Sequence, residues 1–250
     1  MAEPSRLYGL NALVLNAAGG IGEAIARTLA RHGADVVAVD TSNSGVEQHY
    51  SAVKGITGMT ARLVDIDAVP GTIERATQLL GSLDIVVTDF PLQPDKPVQQ
   101  IDAKLESLLH ARAMLMTAVS RAVLPQLQNS PQGRIINLGL LRSCFDIDAE
   151  AAFDHAKQDL ASLTRELAAE SGEHGVSVNY IQPGAIMTPA SREVFRKNPA
   201  LRDYCINSSA ARRLGEPLDV AKVALFLASA DAVFVSGTGV SIDGGRAAAT

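Results

Sequence analysis

A run of small residues, Asn16-Ala17-Ala18-Gly19-Gly20-Ile21-Gly22, joins an apolar stretch at Leu10–Leu15 to an amphipathic one at Gly20–Arg31. Glycines in a strand-to-helix turn let a dinucleotide pyrophosphate approach the backbone, and the amides at the helix start attract the anion. Asp40 ends the next apolar run, 18 residues after Gly22. A carboxylate there can accept hydrogen bonds from ribose hydroxyls and would repel a 2′-phosphate. No Arg or Lys follows it within Thr41–Gly45. The pattern favours NAD over NADP, if a dinucleotide binds. A tight connection without any ligand would use the same glycines, and the acid at the following strand end is what favours the nucleotide.

Positioning these residues requires alternating strands and helices, and the sequence supplies them. Ile21, Ile25 and Leu29 share one helical face, and Gly33 supplies a stop. Val36–Val39 reads as a buried strand. A weak helix, a strand near Met59–Val64, a helix near Pro70–Leu80 and a strand at Asp84–Val87 follow. Further helices are expected over about 101–127, 149–171 and 217–228, with strands at Gly133–Leu138, Val176–Ile181 and Gly239–Ile242. The segment Gly184–Ser209, with Pro189 and Pro199, reads as irregular. Strands apolar throughout and separated by helices imply a doubly wound parallel sheet with helices on both faces. No linker or repeat divides the chain, so residues 1–250 are expected to form a single domain.

Composition narrows the classes. With 22 Lys+Arg against 27 Asp+Glu the net charge is −5, which disfavours a nucleic-acid partner. No apolar run approaches the ~20 residues of a membrane span, and the N-terminus lacks the apolar core of a signal peptide. Cys144 and Cys205 stand 61 residues apart, and five scattered histidines form no ligand motif. No metal site is therefore expected, and the cytoplasm is the expected location.

The whole chain resembles the short-chain dehydrogenase/reductase family. Val178-Asn179-Tyr180-Ile181-Gln182-Pro183-Gly184 is similar to its VNxxxPG turn. Arg213-Leu214-Gly215-Glu216-Pro217 with Val220-Ala221 and Phe226–Ser229 is similar to its RxGxPxxVA…FLAS run, and Gly237 with Asp243-Gly244-Gly245 to its terminal G…DGG. The resemblance implies a Rossmann-type sheet of about seven strands, an NAD(P)-type cleft, and a homodimer or homotetramer. It places Asn16, Gly20, Ile21, Gly22, Asp65, Lys157, Pro183, Gly184 and Thr188 against the cofactor, with Thr188 at the nicotinamide carboxamide and Asp65 at the adenine. The family's glycine turn begins Thr-Gly, where this chain has Leu15-Asn16; Asn tolerates left-handed backbone angles. The family's NNAG becomes Thr88-Asp89-Phe90-Pro91, which puts bulk where the cofactor ribose needs room.

The chemistry positions of the family depart further. Its catalytic Asn, Ser, Tyr and Lys fall on Arg112, Leu140, Phe153 and Lys157. Phe153 has no ionisable hydrogen and Leu140 no donor. The resemblance thus implies an oxidoreductase scaffold whose Tyr-dependent proton transfer is absent or very slow. Lys157 keeps its place at the nicotinamide ribose or joins an ion network with Arg112. Arg112 itself is expected to pair with Asp89 or Asp154, or to bind an anionic ligand. Ser143 could approach the cleft, and Cys144 would need a base such as His155. Apolar faces carrying Leu105, Leu108, Leu109, Leu160, Leu163 and Leu167 are expected at an oligomer interface. A non-catalytic member, either a subunit in a hetero-oligomer with an active relative or a ligand-binding protein, and a non-redox enzyme reusing the pocket are the alternatives. The basic mix around Arg192–Arg202 hints at an anionic small molecule, although solvated surface charge accounts for it equally.

Overall fold

The computed structural model describes residues 6–92 and 97–246. Seven parallel strands form one sheet: β1 (Asn11–Leu15), β2 (Asp35–Asp40), β3 (Ile56–Thr60), β4 (Ile85–Thr88), β5 (Arg134–Leu138), β6 (Ser177–Pro183) and β7 (Gly239–Ile242). Their order is β3-β2-β1-β4-β5-β6-β7. The order reverses between β1 and β4, and a doubly wound sheet opens its ligand crevice at the carboxyl ends of such a pair.

Strand pleating sends alternate residues to opposite faces. Ala12 and Val14 of β1 pack with α1 (Gly20–Arg31) and α8 (Pro217–Ala228). Leu13 and Leu15 pack on the other face with α3 (Val69–Leu80), α4 (Ala103–Leu127) and α5 (Glu150–Gly172). Both faces are thus covered, which is why the strands are apolar throughout.

Three expectations are corrected. The third strand lies at Ile56–Thr60, earlier than Met59–Val64, paired from Val36↔Ile56 to Asp40↔Thr60. A Cβ at Gly58 would come within 2.4 Å of the Val46 carbonyl, so this strand is fixed where α2 (Val46–Tyr50) crosses it closely. Second, the segment read as irregular contains α6 (Pro189–Lys197) and α7 (Pro199–Asn207). Both prolines occupy a first-turn position, where the missing N–H costs nothing. Thr188 and Asn198 cap the two helices by accepting the amides of Ser191 and Leu201. Third, Leu105, Leu109, Leu160 and Leu167 are buried within the chain's own core, so they do not offer an interface.

Candidate functional site

The glycine turn leaves β1 through Asn16, which is left-handed at φ 57°, and Gly20 is left-handed at φ 59°. A Cβ at Gly22 would lie 2.1 Å from the Asn16 carbonyl oxygen, so only glycine closes this turn. A Cβ at Gly19 would meet nothing within 4 Å, leaving an open face beside the start of α1. The Asn16 side chain turns away from that face. Its Nδ2 donates to Asp89 Oδ2 at 2.9 Å and ties the turn to the end of β4. Asp40 fixes the other side. Its two oxygens accept the Ala18 and Thr41 amides at 2.8 and 2.7 Å. Oδ1 also accepts the Thr41 hydroxyl at 3.5 Å, while Oδ2 keeps a second lone pair with capacity for a ribose hydroxyl.

The open glycine face and Asp40 fit a dinucleotide's phosphates and adenosine ribose, so Asn16, Gly20, Gly22 and Asp40 are the residues that would hold that end. Ile21 is buried in the core with Ile25 and Leu29 and can offer only its backbone. Asp65 lies past the end of β3. Its carboxylate accepts the Asp67 amide at 3.1 Å and pairs with Arg62 at 3.2 Å. Thr188 is buried and its side chain would sit 3.5 Å from a Cβ on Gly20. Its hydroxyl belongs to the α6 capping box. Pro183 and Gly184 end β6, where a Cβ on Gly184 would press within 2.8 Å of Asp243. Phe90, expected to crowd the ribose, instead packs in the core with Leu15, Leu63 and Val119.

The four residues that the resemblance aligns with the family's catalytic group separate into three environments. Phe153 and Leu140, each 5% exposed, join an apolar cluster with Leu92, Leu105, Leu109 and Phe145. The Phe145 and Phe153 rings meet edge to face at 5.3 Å. Arg112 is buried at the ends of β4 and β5. Its Nε donates to the Phe90 carbonyl at 2.9 Å and its Nη2 to the Leu138 carbonyl. The expected ion pair with Asp89 or Asp154 is replaced by these carbonyl bonds, because the guanidinium lies along the strand ends. Burial lowers Arg112 to about 10, and Asp89 opposes that shift. Burial raises Asp89 to about 6, opposed by the Asn16 hydrogen bond and the Arg112 charge. Lys157 is half-buried and lines a cavity at the carboxyl ends of β6 and β7.

Among the described residues, Cys144 has no base beside it. Burial pushes Cys144 up to about 11, so a thiolate is disfavoured at neutral pH. His155 is turned to Glu106 at 3.0 Å and Asp159 at 3.5 Å. Ser143 is buried. Among the described residues no group of three or more His, Cys, Asp or Glu could hold a metal, and no helix is long and apolar enough to cross a membrane.

A cavity of about 860 Å³ opens at the carboxyl ends of β6 and β7. Phe153, Lys157, Pro183 and Gly184 stand in its wall. Asn16, Gly20, Asp40, Asp65 and Thr188 do not. The wall also holds Arg142, Tyr204 and Arg246, which sequence reasoning missed. They come from the turn after β5, the α7 helix and the segment after β7. No motif spacing links them, and only the fold brings them together around Phe153.

The profile of a family described as "Enoyl-(Acyl carrier protein) reductase" matches residues 16–247. The chain is 30% identical over 242 residues to the 3-oxoacyl-[acyl-carrier-protein] reductase FabG of Vibrio cholerae, covering 96% of this chain and 98% of that one. It is 32% identical over 259 residues to the oxidoreductase UcpA of Escherichia coli, covering 96% and 95%. Its fold is similar to the crystal structure of a hydroxysteroid dehydrogenase from Escherichia coli, with TM-score 0.82, 26% identity and coverage of 98% and 99%. With the seven-stranded sheet and the glycine turn already in place, these matches show that the chain belongs to the short-chain dehydrogenase/reductase family.

Proposed function

We propose that this protein keeps an NAD(P)-type cleft on an oxidoreductase scaffold but lacks the family's Tyr-dependent transfer of hydride between alcohol and carbonyl. The nicotinamide of a bound dinucleotide would supply or accept the hydride. The chain must then supply a proton donor and an oxyanion partner at the substrate oxygen. The observation that carries the reading is the apolar cluster at Phe153 and Leu140, the positions where the family keeps a phenol and a hydroxyl. Arg112 is committed to two backbone carbonyls and does not replace them.

NAD is favoured over NADP because the Asp40 carboxylate would repel a 2′-phosphate. The free thiols of Cys144 and Cys205 suit the reducing cytoplasm. A homodimer or homotetramer is part of the proposal.

The test is turnover and binding measured together. Purified protein is expected to bind NADH more tightly than NADPH, by tenfold or more if repulsion contributes ~1.4 kcal/mol. With common ketones its NADH oxidation should fall short of a family reductase by a factor on the order of 10² or more. The double variant Leu140→Ser, Phe153→Tyr should raise that rate. Brisk ketone reduction by the unmodified protein would overturn the proposal.

A further inference from the structure

The cavity at the ends of β6 and β7 holds cations that pair with no carboxylate among the described residues. Arg142, Lys157, Arg213 and Arg246 border it, as do Glu150, Asp154, Asp219 and Asp243. These charges cancel in number but not in place. Arg213 pairs with Asp219 at 2.9 Å and Arg246 with Glu150 at 2.7 Å. One Asp243 oxygen accepts the amides of Gly245 and Arg246 at 3.0 and 3.3 Å. Asp154 is exposed to solvent, where its charge is screened.

Arg142 and Lys157 remain as inner cations. Arg142 is 3% exposed. Its terminal nitrogens donate to the carbonyls of Phe145, Asp146 and Ile147, which carry no charge, and its buried Nε has no acceptor. Lys157 has neither an ion pair nor a hydrogen bond among the described residues. Removing a cation from water without a counter-ion is unfavourable, and a bound anion relieves that cost.

Two further contacts show where the field points. The guanidinium carbons of Arg142 and Arg246 lie 5.9 and 5.3 Å from the centre of the Phe153 ring, and Arg142 lies 5.2 Å from that of Tyr204. Cys205 also lines the cavity. Burial raises its thiol pKa, and both Arg142 and Arg246 pull it back down, so their potential reaches this wall.

We propose that this cavity binds a small organic monocarboxylate, its carboxylate against Lys157 within the field of Arg142 and Arg246, and its body along Phe153, Pro183 and Ile242. A single negative charge fits because, among the described residues, Lys157 is the one cation of the wall with neither an ion pair nor a hydrogen bond. The volume is within the range of small-molecule sites. This inference goes beyond the proposed function, since it requires neither a dinucleotide nor hydride transfer.

Calorimetric titration of the nucleotide-free protein with hexanoate, hexanamide and inorganic phosphate tests it. Hexanoate is expected to bind one to one, with hexanamide and phosphate each at least about tenfold weaker. Lys157→Met should weaken hexanoate by a similar factor. Arg246→Gln should do so as well, and it leaves the glycine-turn end of the cleft intact. Arg142→Gln is unsuitable because it would also free three backbone carbonyls. Equal binding of hexanamide, tighter binding of phosphate, hexanoate affinity unchanged in both folded variants, or no binding up to about 10 mM would each overturn the site. NADH affinity and ketone turnover, read on the same preparation, report on the cleft separately.

Discussion

Asp89 is held in a costly state at neutral pH. Burial raises its carboxyl from 3.8 to about 6, even though Asn16 donates to it and Arg112 lies near. The folded state therefore binds the Asp89 proton more tightly than the unfolded chain does. Between those two values the native state carries the extra proton, so this group's contribution to stability falls as pH rises from about 4 to about 6. Above that range the protein carries the full penalty of a buried carboxylate. Asp89→Asn keeps an acceptor for Asn16 and removes the charge. Thermal unfolding should show the variant more stable than the parent at pH 7.5, with the difference shrinking toward pH 4. An unchanged difference across that range would show that Asp89 does not titrate as described. At the same scale, the resemblance sets Phe153 at the family's tyrosine position, and a phenyl ring has no proton to give. Where the ring goes was not legible. Its place between Phe145, Arg142 and Arg246 depends on residues up to 93 positions away.

The elements that carry these residues differ in how locally they are encoded. The helix at Gly20–Arg31 agrees between sequence and structure, since its apolar stripe and the glycine after it are both local signals. The two helices over the cavity were hidden by Pro189 and Pro199, which read as breakers when their position in the helix is unknown. At the first turn a proline is compatible with a helix, and Thr188 and Asn198 supply the caps. The Asn198 cap is a specific weak point of this cover. Asn198→Ala removes the acceptor for the Leu201 amide and should cost about 1 kcal/mol locally. Hydrogen exchange should then quicken about fivefold across α7 and stay unchanged in the strands. Uniform quickening would place Asn198 in global stability instead.

For the whole molecule, burial decides which apolar surface is left for a partner. Four of the six leucines expected at an interface fill the protein's own core, whereas Leu218, Phe226, Val233 and Phe234 are exposed, the last fully. They lie on α8 and on the turn between it and β7, which is an edge of the sheet. A strand edge beside exposed aromatics is a surface that proteins usually cover. Gel filtration at micromolar concentration should therefore show a dimer or tetramer, and Phe234→Glu should shift it toward the monomer. A monomeric parent protein would remove this part of the proposal.

The sequence alone was sufficient for the succession of the seven strands and for the glycine turn with Asp40. Each of these rests on residue type or on a short repeat, which act over a few neighbouring positions. Only the tertiary structure decided that Asn16 faces Asp89, that Arg112 bonds carbonyls, and that Arg142, Tyr204 and Arg246 gather around Phe153. These contacts join residues between 11 and 93 positions apart, and no local pattern specifies which distant side chains the packing of the sheet will bring together.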